Sequence, residues 1–332
     1  MSAIPKIFST ALSLQLIKTM TSNHFQSAIN FDVIIIGGGA AGLSAALWCD
    51  ELGLKALLLE EKGELGGQLL WTHNAIKNHL GIEANNGHEL CDIFLKQIER
   101  RNFTIKLSCE IDEIDLDEKT VLLKSGDRFF AKAVIIATGV SRRKLNIAGE
   151  EKFKNKGIIE SGKRDQDLVK EKNVAVIGGG DAAFENALIL AKTASEVILI
   201  HRNHYFRARA EFVEQAKRHP KIKILTNSIA QKIIGNERVE AVELKHAQTN
   251  KTQILPAEAI LIRVGVEPNT KLLRGKLDLD ENGYVKINQN CETNINGVFA
   301  VGDVANPLAP TVSSAVGMGA TAAKVIFALL KS

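Results

Sequence analysis

Gly37, Gly39 and Gly42 stand directly behind the strand-like run Asp32–Ile36 and ahead of a helical pattern. That spacing suits a main chain that must hold a pyrophosphate. The first glycine permits a tight turn, the second lets the backbone approach the phosphates, and the third lets the helix pack close on the strand. A helix opening at Ala40 and Ala41 would aim unpaired N–H groups and a partial positive charge at the anion. Glu60 closes the next apolar run, 23 residues after Gly37, where a carboxylate can accept hydrogen bonds from ribose hydroxyls. A glycine-rich turn in an unrelated fold would not explain that second spacing.

The arrangement returns 141 residues later, where Val174–Arg202 aligns without a gap on Val33–Glu61. Gly178, Gly180 and Ala183 take the glycine positions, with Asp181 and Ala182 between them. His201 occupies the place of Glu60, followed by Arg202, with Arg207 close behind. An acid there would repel a 2′-phosphate, whereas arginine offers it charge-assisted bidentate bonds. The second site is therefore expected to prefer NADPH. Two nucleotide sites of opposite polarity imply a relay, in which a hydride donor held by one domain reduces a flavin held by the other.

Each repeat reads as strand, turn, helix and strand, a βαβ unit with buried parallel strands. Alternating segments such as Val239–Leu244 follow and read as antiparallel strands. Each half closes on another apolar strand, at Ala133–Gly139 and Ala259–Gly265. Gly297–Val304 has no counterpart between the repeats and is read as the chain returning to its first domain. The expected fold class is α/β, with two Rossmann-like three-layer (β/β/α) dinucleotide-binding domains. Residues 31–145 and 268–332 would form the FAD domain, and 146–267 an inserted NADPH domain. Hinges are expected near Lys144–Glu150 and Val266–Thr270.

With 332 residues, 45% hydrophobic and 24% charged, the chain has the balance of a globular protein and room for two cores. Lys6 and Lys18 supply half of the formal charge of +4, so the body is close to neutral. Without a basic stripe or an aromatic platform, nucleic acid is not an expected partner. No run approaches the ~18 apolar residues of a membrane helix, so membrane insertion is not expected. Cys49, Cys91, Cys109 and Cys291 fit no metal or CxxC spacing. They are read as small buried apolar residues of a reducing, cytoplasmic setting. Residues 1–30 carry no acid and no arginine. They are read as a disordered extension or an over-long start before Met20, with organelle targeting and secretion left open.

Residues 31–329 resemble the low-molecular-weight thioredoxin reductases. Gly66-Gly67-Gln68-Leu69 is similar to the family's turn beside the flavin ring, and Asn78 falls at the asparagine of its ENWPG-like segment. Ala137-Thr138-Gly139 resembles the end of its first lobe, and Gly302-Asp303 the pair whose aspartate holds the flavin ribityl chain. His201–Ala208 resembles its NADPH motif, with Asn203 in place of one arginine. The resemblance also assigns Ile111, Thr311 and Val312 to FAD. It implies a helix from about Thr311 whose positive end faces the flavin, and a homodimer.

The family's CxxCD falls on Ser161-Gly162-Lys163-Arg164-Asp165, so the aspartate survives and both cysteines are gone. Thiol–disulfide exchange through a mixed disulfide is unavailable there. No side chain is assigned as nucleophile or general acid, and Arg164 is a candidate for favouring the reduced flavin anion. The expected activity moves hydride from NADPH to FAD and on to an external acceptor: ferredoxin, flavodoxin, another electron-transfer protein or a small molecule. The related thioredoxin-reductase-like ferredoxin–NADP reductases also lack the dithiol, but they extend beyond the last helix, so that likeness is partial. The alternatives are direct disulfide reduction using other cysteines, and a flavin-binding sensor without significant turnover.

Overall fold

The computed structural model describes residues 29–331; the expectations for residues 1–28 lie outside that range. The last two residues of the expected extension already belong to the first strand. Strand β1 (Ile29–Ile36) leads into helix α1 (Ala40–Glu51) and strand β2 (Ala56–Leu59). Ile34, Ile35, Leu57 and Leu58 are wholly buried, as continuous apolar runs in a sheet covered on both faces must be. Helix α2 (Gly87–Ile98) is capped by Asn86, whose side chain accepts from Glu89 N, and it feeds the edge strand β3 (Thr104–Lys106). Strands β4 (Ile111–Asp115), β5 (Thr120–Leu123) and β6 (Arg128–Ile136) complete the run. The order is β3-β2-β1-β6-β5-β4.

Strand β7 (Val140–Arg142) carries the chain out, and β8 (Ile158–Ile159) opens the second sheet. The unit β9 (Asn173–Ile177), α3 (Asp181–Leu190), β10 (Glu196–Ile200) repeats the first. The 141-residue offset carries Ala40, which opens α1, onto Asp181, which opens α3. Helix α4 (Ala210–Arg218) and β11 (Ile222–Leu225) follow, then an antiparallel sheet of β12 (Ser228–Gly235), β13 (Val239–His246) and β14 (Thr252–Pro256). Strand β15 (Ala259–Ile262) completes the parallel order β11-β10-β9-β15-β8. Strand β16 (Val266–Pro268) returns beside β7 and pairs with it antiparallel, Val266 opposite Arg142 and Pro268 opposite Val140.

Strand β17 (Val298–Ala300) then rejoins the first sheet against the C-terminal half of β6, whose N-terminal half pairs with β5. That split gives the first domain its parallel and antiparallel layers. The final helix α5 (Val312–Lys331) packs on α1. A Cβ at Gly319 would strike the Ala41 carbonyl, so only glycine allows this approach. One sequence expectation is corrected here: α5, at 20 residues, is long and apolar enough to span a membrane by length and composition. Ser313, Ser314, Gly317, Gly319 and Thr321 interrupt its apolar run and hid that. Its inner face, including Ala322, Ala323 and Ile326, is buried against the first domain.

Candidate active site

The first glycine turn lies at the mouth of a cleft of about 720 Å³. Gly37 has φ +109°, and a Cβ there would meet the Ala137 carbonyl. A Cβ at Gly42 would be driven into the Gly37 carbonyl oxygen. Helix α1 starts behind Gly39 with no side-chain cap and no acid in its first turn, which leaves its N–H groups available to an anion. Glu60 accepts from Gly38 N at 2.6 Å through Oε2 and from Lys62 N at 2.9 Å through Oε1. The carboxylate is thereby fixed in orientation, and each oxygen keeps a lone pair for a ribose hydroxyl.

Deeper in the cleft, Gln68 Nε2 donates to Asp303 Oδ2 at 2.7 Å, which joins the two segments read as flanking the flavin. Burial pushes the Asp303 carboxyl above its ordinary value, only partly offset by Gln68. Thr311 caps α5 by accepting from Ser314 N at 3.1 Å, and both Thr311 and Val312 line the cleft. Gly37, Gly39, Ala40, Ala41, Gly67, Ile111, Thr138, Gly139 and Gly302 line it too, while Gly42 sits behind the turn. The glycine cradle, the uncapped helix and the half-buried carboxylates of Glu60 and Asp303 suit a dinucleotide.

Asn78 is exposed and is not among the residues lining the cleft. Ile76 pairs with Ala84 and is buried, so this short ribbon turns Lys77 and Asn78 to solvent. Asn74 is engaged instead, with Nδ2 donating to Glu185 of the second domain at 2.9 Å. Sequence reasoning also missed Trp71, which lines the cleft between the cations of Lys62 and Arg142, 4.7 and 5.6 Å from its ring. Asn269 was missed as well. Its Nδ2 donates to Thr138 O at 2.7 Å, and its Oδ1 accepts from Ser141. The proline-asparagine pair after the second apolar strand was the one local signal for it.

In the second domain α3 starts behind Gly180, again without a side-chain cap. Asp181, on its first turn, is held by Arg209 through N and Nε at 2.7 and 2.9 Å, and Ala183 is buried beneath the turn. His201 packs its ring against Gly179, and its Nε2 contacts Tyr205 O at 3.0 Å. Burial, helped by the charges of Arg202 and Arg207, holds this imidazole below its ordinary value. It is a neutral wall rather than a phosphate cation. Arg202 and Arg207 are exposed, and their side chains have no ion-pair partner among the described residues.

The segment at the dithiol position is closed on itself. Asp165 Oδ2 accepts from Glu160 N at 2.8 Å, Ser161 N at 3.0 Å and Arg164 Nη2 at 3.0 Å, and Oδ1 accepts from Arg164 Nε at 2.6 Å. Burial alone would raise this carboxyl, but Arg164 and the two backbone donors outweigh it and hold it below the ordinary value. Asp165 is a structural anion, and Arg164 is neutralised by it rather than free for the flavin. Ser161 is buried. The cysteines are free thiols; Cys49, Cys91 and Cys291 are buried as expected, whereas Cys109 is half-exposed. Burial pushes Cys49 up to about 12, so it stays a thiol at neutral pH.

A fold of two nucleotide-type domains, with a cleft lined by the first glycine turn, defines the class, and comparison with known proteins agrees. Residues 31–319 match the pyridine nucleotide-disulphide oxidoreductase family. A thioredoxin reductase from Peptoclostridium litorale is 34% identical, covering 88% of this chain and 95% of that one. A 34.2 kDa protein in the rubredoxin operon of Clostridium pasteurianum is 32% identical, covering 88% and 94%. The Lactococcus lactis thioredoxin reductase, in its FR conformation, superposes with a TM-score of 0.81 at 32% identity, covering 91% of this chain and 99% of that one. The chain belongs to the pyridine nucleotide-disulphide oxidoreductase family. It is a thioredoxin reductase-like NAD(P)H-dependent flavoprotein oxidoreductase whose cofactors are FAD and NADPH.

Proposed function

We propose that this enzyme passes electrons from NADPH, through FAD, to an external acceptor without a dithiol of its own. The observation that carries the reading is the segment Ser161–Asp165, which has no sulfur and whose aspartate is saturated by four hydrogen bonds. FAD, when bound, accepts hydride from the nicotinamide and releases electrons singly or in pairs. Gly37, Gly39 and the α1 N-terminus hold its pyrophosphate, Glu60 its adenosine ribose, and Asp303 with Gln68 the chain leading to the ring. The N-terminus of α5, at Thr311 and Val312, presents its partial positive charge to the ring. Arg202 and Arg207 bind the NADPH 2′-phosphate, and Gly178, Gly180 and Ala183 its pyrophosphate.

The acceptor in this reading is a ferredoxin, flavodoxin or rubredoxin-type carrier or a small oxidant. The likeness to a protein of a rubredoxin operon supports a carrier. The names of most relatives favour a second reading, direct reduction of a thioredoxin-type disulfide. Assembly as a homodimer and a cytoplasmic setting belong to the same proposal. The test is anaerobic reduction of the flavin-loaded protein by NADPH, followed by ferredoxin, flavodoxin, rubredoxin, a quinone and a disulfide such as DTNB in turn. Reoxidation by carrier or quinone is expected. Reoxidation only by the disulfide would overturn the reading, and failure of NADPH to bleach the flavin would indicate a flavin-binding module without turnover.

A further inference from the structure

Next to the saturated aspartate lies a charge that the chain leaves unanswered. Arg142, at the end of β7, donates through Nη1 to Glu160 O at 2.8 Å. Arg263, one residue past β15, donates through Nη2 to the same oxygen and through Nη1 to Ile262 O at 2.8 Å. A guanidinium carries five N–H donors. Two guanidiniums here share one backbone carbonyl, and neither has a carboxylate within ion-pair distance among the described residues. Of the two nearby acids, Asp165 is taken by Arg164, and the Glu160 carboxylate approaches Arg164 at 3.7 Å.

Both side chains are half-buried. Burial, and then the neighbouring Arg142, holds Arg263 down to about 10, and burial lowers Arg142 as well. His73, close to this corner, is lowered by burial and by the charge of Arg164. No buried side-chain polar atom in the described residues lacks a partner, so the unused N–H groups of the two arginines reach solvent. Like charges gathered this closely are unfavourable unless something of opposite sign completes them.

We propose that Arg142 and Arg263 form a binding site for the oxyanion of a small molecule, a phosphate or a carboxylate, at the junction of the two domains. The planar forks suit the paired oxygens of such groups. The site lies between the wall of the flavin cleft, through the Arg142–Trp71 contact, and the segment where relatives carry their dithiol. It is made by other side chains than Arg202 and Arg207, although the Arg263 carbonyl abuts the Gly178 turn, which is why the nucleotide site is filled in the test below; it does not depend on which acceptor the enzyme uses.

The test uses flavin-loaded enzyme carrying Trp48→Phe, which leaves Trp71 as the one tryptophan, with the nucleotide site filled by NADP⁺. Inorganic phosphate and, separately, succinate are titrated against chloride at constant ionic strength. Trp71 fluorescence and calorimetry are followed together. Saturable binding of at least one oxyanion is expected, weakened at least tenfold by Arg142→Gln or Arg263→Gln and unaffected by Arg202→Gln with Arg207→Gln. Phosphate alone binding marks a phosphoryl ligand, and succinate alone a carboxylate. Should a glutamine variant fail to retain flavin, Arg142→Lys and Arg263→Lys keep the charge, lose the fork and should still weaken binding. No saturable binding, or binding abolished only by the Arg202 and Arg207 changes, would overturn the proposal.

Discussion

Replacing Asp165 by asparagine separates two roles that an aspartate retained beside two lost cysteines could have. The side chain is 7% exposed and accepts four hydrogen bonds. Asparagine keeps one acceptor oxygen and turns the other into a donor. Its best placement leaves the oxygen toward Glu160 N, Ser161 N and Arg164 Nη2, and sets its amide against Arg164 Nε. One charge-assisted bond is lost, the two from backbone N–H groups become neutral, and the one from Arg164 Nη2 keeps only the guanidinium charge, at about 2–3 kcal/mol in all. Arg164, half-exposed at 47%, recovers part of this by resolvation. Urea unfolding at neutral pH, followed by circular dichroism, should show that loss, a sizeable fraction of ~5–15 kcal/mol for a domain.

The pH dependence adds a second constraint. Asp165 titrates lower in the folded than in the unfolded chain. Its contribution is therefore complete above the unfolded value of about 3.9 and disappears as pH falls through the folded one. The stability curves of wild type and Asp165→Asn should converge in acid. NADPH-driven flavin reduction, measured by stopped flow at neutral pH, should change by less than about threefold, well under the 10²-fold or more that general-acid catalysis contributes. A stability loss under ~0.5 kcal/mol, parallel curves, or a collapse of flavin reduction with intact stability would refute the structural role.

Gly42→Ala should abolish flavin retention, because the new Cβ displaces the Gly37 carbonyl; absorbance of the purified protein checks it. Arg202→Gln with Arg207→Gln should raise the KM for NADPH by about 10–100-fold, from the loss of two charge-assisted contacts, while leaving the KM for NADH within about twofold; steady-state kinetics with both nucleotides read this directly. Asp303, titrating above its ordinary value through burial, costs the flavin-free fold stability once pH rises above the unfolded carboxylate value. Asp303→Asn should accordingly raise the apoprotein melting temperature at pH 7, not at pH 3, and weaken FAD binding in a fluorescence titration.

The parts of the molecule that local spacing can encode were legible. The two glycine turns, Glu60 with its partner position His201, and the return of Val298–Ala300 to the first sheet follow from short patterns and one internal duplication. Arg142 and Arg263 lie 121 residues apart and meet only because β7 and β15 end at the same junction. Trp71 reads as an ordinary apolar residue until Lys62 and Arg142 are seen flanking it. The apolar length of α5 was missed because glycine, serine and threonine interrupt it, although one of them, Gly319, is what lets it lie close on α1.

The chain crosses between its halves twice, and those two crossings, β7 and β16, are bonded to each other along three residue pairs. A body hung from two separated straps can sway in any direction. One hung from a single braided cord can do little but twist about that cord, so any movement of one half against the other is expected as a pivot about the β7–β16 pair.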